Sequence, residues 1–128
     1  MVNYNNIFNF ITIQSRKRTW KHVETFYINS DEQLVNHRDL INQIKVLIKS
    51  IRERGFDKTL YAGISLWHLR ISKKSFSGME GLPPKNSLFF DWTDNGIRIE
   101  QNGILILQQS KCEYTPEIEA VLQELEKS

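Results

Sequence analysis

His68, Arg70 and Glu100 are the residues whose types could do chemistry on a phosphate. On an extended strand, positions two apart project to one side, so His68 and Arg70 share a face, opposite Trp67, Leu69 and Ile71. A histidine there could move a proton, the arginine could steady phosphoryl charge, and Glu100 or Glu24 could act as base. That chemistry needs the carboxylate within hydrogen-bond reach, and nothing in residue order fixes whether the strand ending at Glu100 lies beside the one carrying His68. Ordinary polar residues on a solvated sheet face would look the same. We therefore hold these three as weak catalytic candidates and lean against an enzyme.

A second group could bind without reacting. Arg16, Lys17, Arg18, Trp20 and Lys21 crowd one short stretch. Arg38, Lys45, Lys49 and Arg52 follow on a helical spacing, and Lys73 and Lys74 stand near Phe76. Cations interleaved with rings suit a nucleic-acid strand, because the charges neutralise phosphates while the rings stack on bases. Helix-edge lysines and arginines that bury their stems and wet their heads give the same pattern. The chain's formal net charge of +2 is small for a nucleic-acid domain.

Other constellations are thin. His37 falls among apolar positions, as a hydrogen-bonded core histidine would. His22-x-Glu24 is one weak pair at no metal-ligand spacing, so we expect no metal and no cofactor. Cys112 stands alone, which excludes an internal disulfide. Gly78-x-x-Gly81 lacks the Gly-Lys-Ser/Thr ending of a phosphate loop. Asp91 and Asp94 read as turn residues around Trp92.

The elements that must position these residues are partly legible. Residues 31–54 predict a long helix, with Ser30 as N-cap and Gln33 closing a capping box. Leu34, His37, Leu40, Ile41, Ile44, Leu47, Ile48 and Ile51 give its apolar stripe, and Gly55 its stop. Before it, the β-branched and aromatic runs 7–14 and 20–28 read as a strand pair turning at 15–19. Residues 59–72 read as one strand with a bulge or break at Gly63.

Residues 87–93, 97–100 and 104–109 form a meander, its last turn at Asn102-Gly103. Phe89 points opposite to Leu88, Phe90 and Trp92, and the C-terminal helix is expected to cover that side, with a partner site as the alternative. Thr115, Pro116 and Glu117 open a short C-terminal helix striped by Ile118, Val121, Leu122 and Leu125. The expected fold is α+β: a mainly antiparallel sheet in the order ββ-α-β-βββ-α. One long amphipathic helix packs on a sheet face, and a short helix ends the chain.

The whole chain sets the remaining bounds. Its 128 residues, 40% hydrophobic and 25% charged, suit one domain spanning residues 1–128. No run approaches the roughly 20 apolar residues of a membrane span, and no basic start precedes residues 7–13. We expect a cytoplasmic protein without a membrane partner. Charge is uneven: 13 Lys/Arg against 6 Asp/Glu in residues 1–74, then 4 against 9 in 75–128. That split predicts mutual neutralisation or a charged partner. Lacking an assembled active site, the chain is expected to be a protein–protein interaction module. A small bacterial inhibitor of the immunity-protein type is the sub-type its size suggests. RNA or DNA binding through the basic residues is the alternative, and a small ribonuclease the third. Another protein is the expected partner, with nucleic acid and a second copy of the chain behind it.

Overall fold

The computed structural model describes residues 4–30, 38–76, 83–93 and 96–128. Their elements run α1 (Tyr4–Ser30), α2 (Arg38–Glu53), a 3-10 turn (Phe56–Lys58), β1 (Tyr61–Ser65), β2 (His68–Ser72), β3 (Leu88–Trp92), β4 (Ile97–Gln101), β5 (Ile104–Gln109) and α3 (Pro116–Lys127). Neighbours in sequence are neighbours in the sheet, β1-β2-β3-β4-β5, and every pairing is antiparallel. The expected α+β class, antiparallel meander and short C-terminal helix are all present.

The opening strand pair is not. Residues 7–14 and 20–28 lie within the single 27-residue helix α1. Trp20, Val23 and Tyr27 step by three and four residues and are wholly buried, so helical spacing decides where local β preference pointed to strands. Ile7, Phe10 and Ile11 lie on the other side of the same helix and are exposed. With apolar residues on two sides, α1 shows no single stripe in its sequence. Ser30 belongs to its last turn, donating from Oγ to the Phe26 carbonyl at 2.8 Å, rather than capping the next helix. Gln33, Leu34, His37 and the capping-box reading lie outside the described residues.

The rest of α2 follows expectation. Ile41, Ile44, Leu47, Ile48 and Ile51 are buried, and Gly55 ends the helical path at φ 87°. The expected strand 59–72 is corrected to a hairpin. Leu66 and Trp67 both take positive φ (47° and 81°), the mirror-image turn that matches strand twist, and Ser65 pairs with His68 across it. Asn102 and Gly103 turn the β4–β5 hairpin in the same way, at φ 53° and 80°. Thr115 accepts the Ile118 amide at 3.2 Å through Oγ1, capping α3 behind Pro116.

One buried cluster joins Trp20, Val23 and Tyr27 of α1, Ile44, Leu47, Ile48 and Ile51 of α2, and Ile118, Leu122 and Leu125 of α3 to Leu69, Ile71, Leu88, Phe90, Ile97 and Ile99 of the sheet. All three helices thus pack on one sheet face, α3 included. At the far edge α1 also grips β1. Thr19 Oγ1 accepts the Ala62 amide at 3.0 Å, and Trp20 Nε1 donates to the Leu60 carbonyl at 2.9 Å. Tyr27 Oη donates to the Trp67 carbonyl at 3.0 Å and stacks edge-on with Trp67 and Trp92. Among the described residues, no helix is long and apolar enough to cross a membrane.

The uneven charge is partly resolved inside the molecule. Arg54, after α2, meets Glu119 of α3 at 2.7 Å. Lys73 reaches the carbonyl of Ser128, and Thr59 the carboxylate of Glu126. The basic first half and acidic second half do face each other at these places.

Candidate functional site

The sheet face opposite the helices carries the chemistry-bearing residues in two rows. Registers place Gly63, Arg70, Phe89, Glu100 and Leu105 side by side across the five strands. Phe76 lies against Gly63, where an added Cβ would meet its ring at 3.4 Å. The next row runs Ser65, His68, Asp91, Arg98 and Gln108. No helix among the described residues covers these rows, and their members on β2, β3 and β4 are half-buried by one another. The alternation that put His68 and Arg70 on one side, and Phe89 away from Leu88 and Phe90, therefore holds.

The strand order decides which carboxylate meets the histidine. β3 lies between β2 and β4, so Arg70 and Glu100 sit two strands apart, roughly 10 Å between backbones, with Phe89 between them. Asp91 takes the place expected for Glu100: its Oδ1 lies 3.0 Å from His68 Nε2. The proposed His68–Arg70–Glu100 triplet is not assembled. Glu24, the other carboxylate considered, is on α1 and pairs with Arg52 Nη1 at 2.9 Å. Arg52 Nε meets Asp57 Oδ2 at 3.1 Å, and these three tie α1, α2 and the 3-10 turn together.

Phe89 organises the cations of the open face. Arg70 lies over its ring, 4.7 Å from the centroid, and the His68 ring tilts against it at 4.8 Å. Arg70 has no carboxylate within ion-pair distance among the described residues, and burial pushes its pKa below the ordinary arginine value. Arg98 stands across from Asp91, which His68 already occupies. The Arg98 Nε is sealed from solvent and meets no acceptor. Two arginines held without a counter-charge are what the structure adds to the sequence reading. Asp91, expected as a turn residue, lies inside β3 instead, and alternation with Phe89 and Glu100 places it and Arg98 on this face.

The basic group is distributed differently. Trp20 is wholly buried and offers no stacking surface. Arg16 donates from Nη1 to the Lys58 carbonyl at 2.9 Å and lies over Tyr61. Lys17 is half-buried, and Arg18, Lys21 and His22 are exposed on α1. The Arg16–Lys58 and Glu24–Arg52 contacts show α1 and α2 running antiparallel. Lys45 then lies roughly 20 Å along the helix layer from Arg16. Lys49 pairs loosely with Glu53 at 3.9 Å. Lys73 and Lys74 are exposed after β2, Lys73 reaching Ser128. The helices therefore do not gather these cations into one patch. No group of three or more His, Cys, Asp or Glu able to hold a metal occurs among the described residues.

Exposed apolar side chains concentrate at two places besides the open face. One is the outer side of α1, with Ile7, Phe10 and Ile11 at 43%, 63% and 57% exposure; the other is β5, with Ile104, Leu105 and Ile106 at 66%, 42% and 41%. Cys112 is buried after β5, and burial pushes its thiol pKa up to about 12. Comparison of the chain with protein-family models, with curated proteins and with solved structures finds no match.

Proposed function

We propose that this protein is a protein–protein interaction module whose uncovered sheet face receives an acidic surface of its partner. The observation that carries this reading is the pair Arg70 and Arg98, without an ion pair on a face that no described helix covers. A buried donor without an acceptor costs about 1–3 kcal/mol, and a half-desolvated guanidinium without an anion is destabilised as well. A carboxylate delivered by a partner relieves both, and arginine's fork suits bidentate contact with it. Blocking another protein through this face would make the chain an inhibitor of the immunity-protein type, the sub-type its size suggests. That sub-type remains our reading of the chain's class.

The same arginines could take phosphates of a single strand. Against that, Phe89 is already engaged by Arg70 and His68, and Asp91 and Glu100 interrupt the positive field. Protein carboxylates fit this face better than a polyanionic chain.

The test places a photo-crosslinking amino acid at Glu100 in the native host and identifies the adduct. The purified adduct protein should bind the wild-type chain directly. Arg70→Ala and Arg98→Ala should each weaken that binding about tenfold, or about 1.4 kcal/mol. Lys45→Ala and Lys49→Ala should leave it unchanged. Loss confined to the lysine variants would sink the proposal. Tight, strongly salt-dependent binding of a mixed single-stranded RNA that needs Arg70 and Arg98 would replace it with the nucleic-acid reading.

A further inference from the structure

The two edges of the sheet are treated differently. At β1, helix α1 lies over the edge, and Thr19 Oγ1 takes the backbone amide of Ala62 that would otherwise be free to pair. An open edge with unpaired backbone groups is a template for another strand, and covering it with a helix is one way to block it. Among the described residues β5 has no such cover, and β4 is its only neighbour in the sheet. Its residues Ile104–Gln109 include no charge and no proline, and Ile104, Leu105 and Ile106 are exposed.

We propose that β5 pairs antiparallel with β5 of a second copy of this chain, joining two five-stranded sheets into one across a twofold axis. This inference is independent of the arginine face. Three features select a second copy over an unrelated strand. An uncharged strand meets its own image without like-charge repulsion, and a closed twofold contact needs a self-complementary surface. Centring the axis between Ile106 and Leu107 sets Leu105 opposite the partner strand's glutamine at position 108. Leu105 shares its row with Glu100, and Gln108 shares its row with Arg98. Glu100 of each copy then lies in one row with Arg98 of the other, two uncharged residues between them, on the same side of the joined sheet. Finally, the exposed aliphatic residues at the edge would be covered in the same step. One irregularity limits the strength: Ile106 is an extra residue in the β4–β5 ladder, which shifts register between Ile99 and Glu100. A bulge shortens the regular edge, so the interface is small and the dimer concentration-dependent.

Sedimentation equilibrium on the full chain tests this. The wild type should move from the 15.1 kDa chain mass toward twice that value as its concentration rises through the micromolar range. Leu105→Lys and Ile106→Lys should remain at the single-chain mass with unchanged circular dichroism. Controls carry Leu66→Lys, at the opposite edge, or serine at Ile7, Phe10 and Ile11 together, and both should still dimerise. Should the lysine variants unfold, Ile106→Cys under mild oxidation is the second measurement. It should give a disulfide-linked dimer, since buried Cys112 does not compete, whereas Leu66→Cys should not. A wild type that stays single at all concentrations overturns the proposal. So does a dimer abolished by the α1 serine triple but untouched at β5.

Discussion

At the scale of single residues, desolvation explains most of what sets this protein's side chains apart. The Cys112 thiol is buried after β5 and held up to about 12 from an ordinary 9.0. Its thiolate near pH 8 is then roughly a thousandfold scarcer than that of an exposed cysteine. A disulfide reagent should label it only after denaturation, and prompt labelling of the native protein would contradict the burial. The same shift has a thermodynamic side. A group whose folded pKa is raised contributes stability that is whole below the unfolded pKa and is lost as pH rises toward the folded one. Stability should therefore begin to fall above pH 9.0 and keep falling toward about 12, with Tyr27, also raised by burial, joining above 10.0. Cys112→Ala should remove the first part of that slope in urea unfolding curves taken across this range. An identical slope in the variant would assign the effect elsewhere.

At the scale of elements, the β1–β2 hairpin is the place where residue type and backbone disagree. Leu66 and Trp67 occupy positive φ, which costs an L-residue roughly 1–2 kcal/mol and which Asn or Gly tolerates far better. Trp67 is retained by tertiary contact: its ring packs edge-on against Phe26 and Tyr27, and its carbonyl accepts from Tyr27 and Trp92. Leu66 has no such reason, being 92% exposed. Leu66→Asn should stabilise the fold by about 1 kcal/mol, read as a higher urea midpoint at unchanged slope. A loss of stability would show that the side chain holds the turn in some other way. The Asn102-Gly103 turn, with the residues such geometry prefers, has no comparable gain to offer.

At the scale of the whole molecule, the three described helices lie on one sheet face, and the proposed binding role falls to the other. Arg98 Nε shares with Arg16 Nε of α1 the lack of an acceptor, and on the proposed binding role the cost at Arg98 is a trade of stability for function. Arg98→Met keeps the aliphatic stem and removes the orphan donor. It should raise the free protein's stability by about 1 kcal/mol while weakening the bound complex. A structural arginine would do the reverse, so a destabilised Arg98→Met protein would count against a binding role for this face. Arg54 is the contrast: its pairing with Glu119 joins the two oppositely charged halves, so removing it yields no such gain.

The sequence by itself determined whatever short-range spacing controls. The stripe Ile41–Ile51 with Gly55 behind it, the Asn102-Gly103 turn, the Thr115-Pro116 cap and the shared side of His68 and Arg70 are each set within a few residues. Tertiary structure decided the rest. Residues 7–28 carry β-branched and aromatic types that favour strands locally, and they are helical because Trp20, Val23 and Tyr27 bury together at helical spacing. Strand order put Asp91, and not Glu100, beside His68, and among the described residues it left Arg98 Nε without an acceptor. Which strands pair, and which face the helices cover, depends on contacts between residues far apart in the chain. Those free energies are collective, and no local pattern records them.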